Sequence, residues 1–362
     1  MKQWGGVLAV GLVLALAMPA WAQEMIFHGY IDFEARNQDH AGRAEGIFDN
    51  HHFNLFLGSE LADNLRAQGE IEFEHTTGVK VEFAQIEWKP LYNDLLELWF
   101  GYFVVPFGVE HRVHASPRNK LVSRPSPSRA IVPGTFSDAG ILATGVLPLG
   151  TVATLNYNGY VINGLKDGDR DGVFEQSNVK GSDSRDINDD KSFGLQLNLI
   201  PLAGVETRGI EVGGSLLAGK WDVWNDNDYV MWGVHGVVNF EPFELRAEFN
   251  QLNVDNPGVG TLSEATLNGW YVQGSWAAHP LVELIARYDA VDNDDGLPSI
   301  KEGPTPITTG TAVDEGRITV GVRFTPQEWL AFKLEYFNRS TDNRATNAPQ
   351  EDGIGFQAVA NW

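Results

Sequence analysis

Between His111 and Ser137 the chain carries five cations, Arg112, Arg118, Lys120, Arg124 and Arg129, and no acid, although acids outnumber lysines and arginines 48 to 26 over the whole sequence. One use of such segregation is recognition. In a narrow, low-dielectric aperture a ring of arginine and lysine lowers the entry barrier for negative solutes. Arginine's planar fork matches phosphate and carboxylate oxygens, whereas lysine acts as a point charge. The other use is structural: the same cations would pair with facing carboxylates such as Glu70, Glu72, Glu74 and Glu87 and tie their segment down. His111 and His114 add two imidazoles expected to charge in mild acid.

Other chemistries have weaker support. Asp167-Gly-Asp169-Arg-Asp171-Gly172 has the spacing of a calcium loop, in which three carboxylates converge on a hard cation and glycine makes the turn. Position 12 is Asn178 rather than a bidentate glutamate, so a solvated acidic loop is the favoured reading. The 9 histidines show no ligand spacing on one element, and His51 and His52, being adjacent in a strand, face opposite sides. With Cys 0 in the composition, disulfides, zinc ribbons and thiol catalysis are excluded. No nucleophile motif of the G-x-S-x-G type occurs, so no enzyme, catalytic residue, metal site or cofactor is expected. The formal net charge of −22 argues against nucleic acid as a partner.

The elements that must position the basic segment are strands. Lys2 and an apolar run from Val7 to Met18, closing with Ala20-Trp21-Ala22, read as a signal peptide over residues 1–22, which leaves 23–362 as a single domain of an exported protein. From residue 25 onward, segments of about ten residues alternate apolar and polar positions. Ile318, Val320, Val322 and Phe324 alternate with Arg317, Thr319, Gly321 and Arg323. Leu330, Phe332, Leu334 and Tyr336 do the same, as do Leu245, Ala247 and Phe249, and Phe193, Leu195, Leu197 and Leu199. Seven short connections separate pairs of segments: 62–65, 90–93, 148–150, 201–204, 241–242, 279–280 and 326–328. All but the first contain proline, which has no N–H to donate and is excluded from paired strand interiors. Between them lie longer polar connections, such as 165–190, 292–314 and 340–351. The spacing predicts strands over 25–36, 52–61, 66–75, 79–89, 94–103, 139–147, 151–163, 191–200, 209–220, 229–240, 243–253, 265–277, 281–291, 315–325, 329–339 and 352–362.

Each strand alone would suit a soluble sandwich, with its apolar face inward. The number of strands, export and alternating loop length favour a transmembrane antiparallel β-barrel of about 16 strands in the bacterial outer membrane, because hydrocarbon offers no partner to a free sheet edge. At that size an aqueous channel remains in the middle. Trp88, Trp99, Phe240, Phe243, Trp276 and Trp329 lie beside the short turns, where aromatic girdles meet the headgroups. Ile354, Phe356, Ala358, Ala360 and Trp362 carry the apolar face to a terminal aromatic, which resembles the ending of bacterial outer-membrane barrels.

The stretch Phe100-Gly-Tyr-Phe-Val-Val-Pro-Phe-Gly-Val-Glu110 resembles the G-x-F-x-x-P-F-G-x-E element of the phosphate-selective porin O and P family, and Phe136 to Gly145 resembles that family's return to the wall. The resemblance implies a homotrimeric, 16-stranded pore surrounded by outer-membrane lipid, in which the third outer loop, here about 104–138, folds inward and narrows the channel. It makes Arg112, Arg118, Lys120, Arg124 and Arg129 candidates for an anion-binding constriction, with small hydrophilic solutes, phosphate among them, as cargo. Phosphate-specific members line the lumen with arginines. Here Arg36, Arg66, Arg246, Arg287, Arg317, Arg323, Lys333 and Arg339 are mixed with Asp32, Glu34, Glu248, Glu283, Asp289 and Glu335. An anion-preferring porin is therefore the first expectation; a general or cation-preferring porin and a structural or adhesive barrel are the alternatives.

Overall fold

The structure is a computed structural model, and it describes residues 25–40, 43–74, 78–133, 136–167, 172–174, 188–201, 208–258, 261–293, 295, 313–343 and 351–362. The expected signal peptide, and most of the calcium-like loop from Asp169 to Asn178, lie outside the described residues. Sixteen strands follow one another: β1 (Met25–His40), β2 (Arg43–Ala62), β3 (Leu65–Glu74), β4 (Gly78–Trp88), β5 (Glu97–Val104), β6 (Ser137–Leu149), β7 (Ala153–Ile162), β8 (Ser192–Pro201), β9 (Arg208–Lys220), β10 (Asp228–Phe240), β11 (Phe243–Asp255), β12 (Glu264–His279), β13 (Val282–Asp292), β14 (Val313–Gln327), β15 (Leu330–Asn343) and β16 (Glu351–Asn361). Each pairs antiparallel with its sequence neighbours, and β1 pairs with β16, so the sheet is a closed barrel. Closure is completed by the terminal residue, whose Trp362 N–H donates to the Gly29 carbonyl at 3.0 Å while Gly29 N–H donates to Trp362 at 3.2 Å.

The alternation read from the sequence sets the two faces. Ile318, Val320, Phe324, Leu334, Tyr336, Leu245 and the Phe193–Leu199 series are exposed on the outside, where a lipid chain would meet them. Two aromatic belts border this apolar band. Toward the short turns, Phe243 stacks with Trp276 at 6.1 Å and Phe324 with Phe332 at 6.4 Å; toward the long loops, Trp232 meets Phe249 and Trp270 meets Tyr288, both at 5.3 Å. Trp99 does not belong to a belt. In register with Glu87 and Leu142, it lies on the inner face and packs against buried side chains there.

Two further expectations are corrected. The first outer connection is short, because β1 and β2 pair out to His40 and Arg43. Its polar residues extend the hairpin instead of forming a loop. Nor is the bore wet throughout. On β11 the inward residues run Glu244, Arg246, Glu248, Asn250, then Leu252 and Val254, while Gln251 and Asn253 take the outer face at that level. The polarity of the two faces reverses as the strand passes the upper belt, leaving lipid on one side and a packed interior on the other.

Candidate functional site

The third outer loop, L3 (105–136), leaves β5 through that packed interior. Phe103, Val105, Phe107, Ile131 and Phe136 are 0–5% exposed and form one cluster with the upper inward side chains of β6 to β13, including Tyr160, Leu217, Met231 and Leu252. Each such side chain contributes about 1.5–3 kcal/mol by leaving water. The base of L3 is therefore fixed by apolar packing, and its polar middle is pushed across the bore.

The Pro106-Phe107-Gly108-Val109-Glu110 elbow turns the loop onto the wall. Gly108 has φ +64, and a Cβ there would run into the Glu248 carboxylate, so only glycine fits. Its N–H donates to Ser215 Oγ at 3.0 Å, and its carbonyl accepts from Gln196 Nε2 at 2.8 Å. Val109 N–H donates to Glu248 Oε2 at 2.9 Å. Glu110, 5% exposed, opens the short helix α1 (Glu110–Val113) beside Arg246 at 3.7 Å and Arg124 at 3.9 Å.

Beyond the elbow, buried wall charges serve the loop backbone, whose N–H and C=O groups need partners once they leave water. Glu335 accepts from Val122 N–H at 2.9 Å and Ser123 N–H at 3.0 Å, and Asp289 accepts from Ser126 N–H at 3.1 Å. Lys333 donates to the carbonyls of Ser116 at 2.7 Å and Leu121 at 3.3 Å, Arg323 to that of Pro117 at 2.9 Å, and Arg287 to that of Ser123 at 3.0 Å. Asp289 holds Arg287 at 2.9 Å and Arg317 at 3.2 Å, all three buried. The charges that read as lumen lining on β13 to β15 are thus anchors.

Two of the five loop cations are occupied by the same wall. Arg112 makes a two-point ion pair with Glu211, whose Oε1 also lies 3.2 Å from His235 Nε2. Lys120 reaches Glu283 at 2.6 Å, Glu244 at 3.2 Å and Ser275 Oγ at 2.8 Å. Arg124 sits near Glu110, and Arg129 stands half-buried in the last turn of α2 (Pro127–Ala130). Arg118 differs: it is exposed, donates to the Arg112 carbonyl at 3.2 Å, and acts electrostatically on Glu70 of β3. The structure uses Arg112 and Lys120 as braces to the wall, sets Arg124 beside Glu110 of the loop itself, and leaves Arg118 turned to the bore. The expected partners Glu72, Glu74 and Glu87 serve their own strands instead, with Lys80 beside Glu72 and Glu74 and Arg66 on Glu87. The reason is geometric: L3 crosses to the far wall before its cations occur.

His111 and His114 are corrected too. Burial, reinforced by Arg112, pushes His111 down to about 4; burial, reinforced by Arg124, pushes His114 down to about 3. Each Nδ1 donates to a loop carbonyl, His111 to Phe107 at 3.2 Å and His114 to His111 at 2.9 Å. They stay neutral in mild acid.

The hydrogen bonds described for L3 thus run to β8, β9 and β11 to β15, and through Ser116 to Asp32 of β1 and Gln357 of β16. Across from them, the inner residues of β3 remain half-exposed at Arg66, Gln68 and Glu70. Among the described residues, no group of three or more His, Cys, Asp or Glu could hold a metal ion.

A closed 16-stranded barrel with an apolar, aromatic-belted exterior and a loop seated inside its bore defines an outer-membrane porin architecture, located in the bacterial outer membrane. Residues 215–360 match the family described as Phosphate-selective porin O and P, so the likeness carried by Phe100 to Glu110 is joined by an independent match over β9 to β16. An uncharacterized protein of Aquifex aeolicus (strain VF5) is 30% identical over 120 residues, 31% of this chain and 26% of that protein; the match spans about a quarter of that curated relative's length. Among solved structures, the chain is similar to an anion-selective porin from Comamonas acidovorans (TM-score 0.64, 12% identity, 94% of this chain and 99% of that one). It is also similar to OprB of Pseudomonas putida (TM-score 0.64, 10% identity, 99% and 97%) and to the outer-membrane channel DcaP of Acinetobacter baumannii (TM-score 0.61, 13% identity, 95% and 99%). At these identities the solved structures share the fold.

Proposed function

We propose that the protein is a water-filled porin for passive diffusion of small hydrophilic solutes, its aperture lying between the tip of L3 and the inner faces of β2 to β4, with a mild preference for cations. The observation that carries this reading is the pairing of Arg112 and Lys120 with Glu211, Glu244 and Glu283. Paired loop charges contribute little field to the bore, whereas Glu70 and its neighbours face it across from Arg118. A second reading, an anion-preferring pore that takes phosphate-like or carboxylate solutes, is favoured by the exposure of Arg118. The likeness to the Comamonas porin is consistent with it. Assembly as a homotrimer is carried by the family resemblance alone.

Reversal potential in a salt gradient across a planar bilayer separates the two readings. The proposal predicts a cation-selective sign that survives joint charge reversal of Arg112, Arg118 and Arg124. An anion-selective sign erased by that reversal would establish the second reading instead.

A further inference from the structure

The open wall contains a feature that passive diffusion does not require. Asn54 of β2 is 1% exposed, and its Nδ2 donates to Glu70 Oε1 at 2.8 Å and Glu72 Oε2 at 3.4 Å, wedging the amide between two carboxylates. Its Oδ1 is buried and has no hydrogen-bond partner. Glu82 of β4, 8% exposed, lies against Glu72 and presents a second buried, unpartnered oxygen, Oε2. Both atoms are acceptors in a patch that already holds Glu70, Glu72 and Glu82, with Asp32 and Glu74 beside them. The facing basic groups are fewer: Lys80, bound to Glu74 and 3.8 Å from Glu72; His52, 3.0 Å from Asp32 and 4.0 Å from Glu72; and Arg118 across the bore.

Resting on the porin reading, we infer that this patch is a binding subsite for the primary ammonium group of a solute amine, entering beside half-exposed Glu70 and donating to Asn54 Oδ1 and Glu82 Oε2. An ammonium group carries three N–H donors around one charge, so it satisfies spread acceptors and offsets the acidic surplus together. Water would satisfy the two oxygens without offsetting the charge of Glu70 and Glu72. A bare metal ion suits the patch less, because no three of the described acids and histidines stand close enough to chelate one. A ligand held between carboxylates in this way forms charge-assisted hydrogen bonds.

The test uses single-channel current through the purified protein at pH 7 with 1,4-diaminobutane, and tetramethylammonium as a cation without N–H donors. Diaminobutane should interrupt the current at concentrations where tetramethylammonium does not. The double variant Glu70→Gln, Glu82→Gln should raise the half-blocking concentration by about tenfold, the loss expected for a charged hydrogen bond. Equal block by tetramethylammonium, or diamine block indifferent to the variant, would overturn the subsite. So would an open channel with no diamine block, and that result would leave the porin reading standing. Should the protein conduct nothing, the porin reading fails by itself. Calorimetric titration of the detergent-solubilised protein with diaminobutane then decides the subsite: heat lost in the variant supports it and absence of heat overturns it.

Discussion

The inner wall from β11 to β15 and the inner wall from β2 to β4 are built from the same residue types and do opposite things. On the first, Arg246, Glu248, Arg287, Asp289, Arg317, Lys333 and Glu335 are all buried, each spent on the backbone or a side chain of L3 or on one another. On the second, the charges pair mostly across their own strands and Glu70 remains half-exposed to the bore. The difference teaches that a lumen-facing charge is not by itself a pore-lining charge. What decides is whether a loop or a neighbouring side chain covers it.

The strongest way to break this comparison is to remove a buried charge. Asp289→Ala strands Arg287 and Arg317 without their shared carboxylate, a loss of about 3–5 kcal/mol. Thermal unfolding in detergent should show a marked drop, whereas Glu60→Ala on the open wall, one partner of a half-exposed pair with Arg66, should cost under about 1 kcal/mol. Equal effects would erase the distinction between the walls. Next in size is Gly108→Ala, which puts a side chain at positive φ and against Glu248. Strain of about 1–3 kcal/mol should loosen L3, seen as faster proteolysis within the loop and noisier single-channel current.

Loop cations offer a sharper contrast. Arg118→Gln should shift reversal potential toward stronger cation preference, while Arg112→Gln, which removes a brace, should chiefly increase current noise. A larger selectivity change from Arg112 would put the field of the aperture on the covered side.

A separate expected effect is one of pH. Unfolded, His111 and His114 take up protons near pH 6.5; folded, they do so only at about 4 and about 3. Between those values acid favours the unfolded chain, so their contribution is complete above about pH 6.5 and is lost as pH falls through the window. The pH dependence of unfolding should flatten between pH 6.5 and 4 in the double variant His111→Asn, His114→Asn.

Much of the barrel was legible because lipid imposes a strict period of two and proline marks turns. Strands such as 209–220, 229–240 and 315–325 were found within a few residues of their observed bounds. The hairpin tip at His40 was not, since beyond the bilayer a polar strand and a polar loop look alike in sequence. The upper cluster was missed for a related reason: Leu252 and Val254 break the inside-polar rule where lipid no longer enforces it. Arg112 and Lys120 were recognisable as part of a charged group, but their partners Glu211, Glu244 and Glu283 lie more than ninety positions away, and only the path of L3 across the bore joins them. Gly108 was legible through the elbow motif, although its purpose, room for the Glu248 carboxylate, was not.

The chain has no cysteine of its own, which makes the central claim directly accessible. Glu70→Cys on the open wall and Gln273→Cys on the covered wall, where the residue is 4% exposed, can each be treated with a charged, water-soluble thiol reagent during single-channel recording. Rapid modification and altered current at position 70, with no response at 273, is the predicted result. Modification at 273 with silence at 70 would contradict it and place the aqueous path on the other side of the loop.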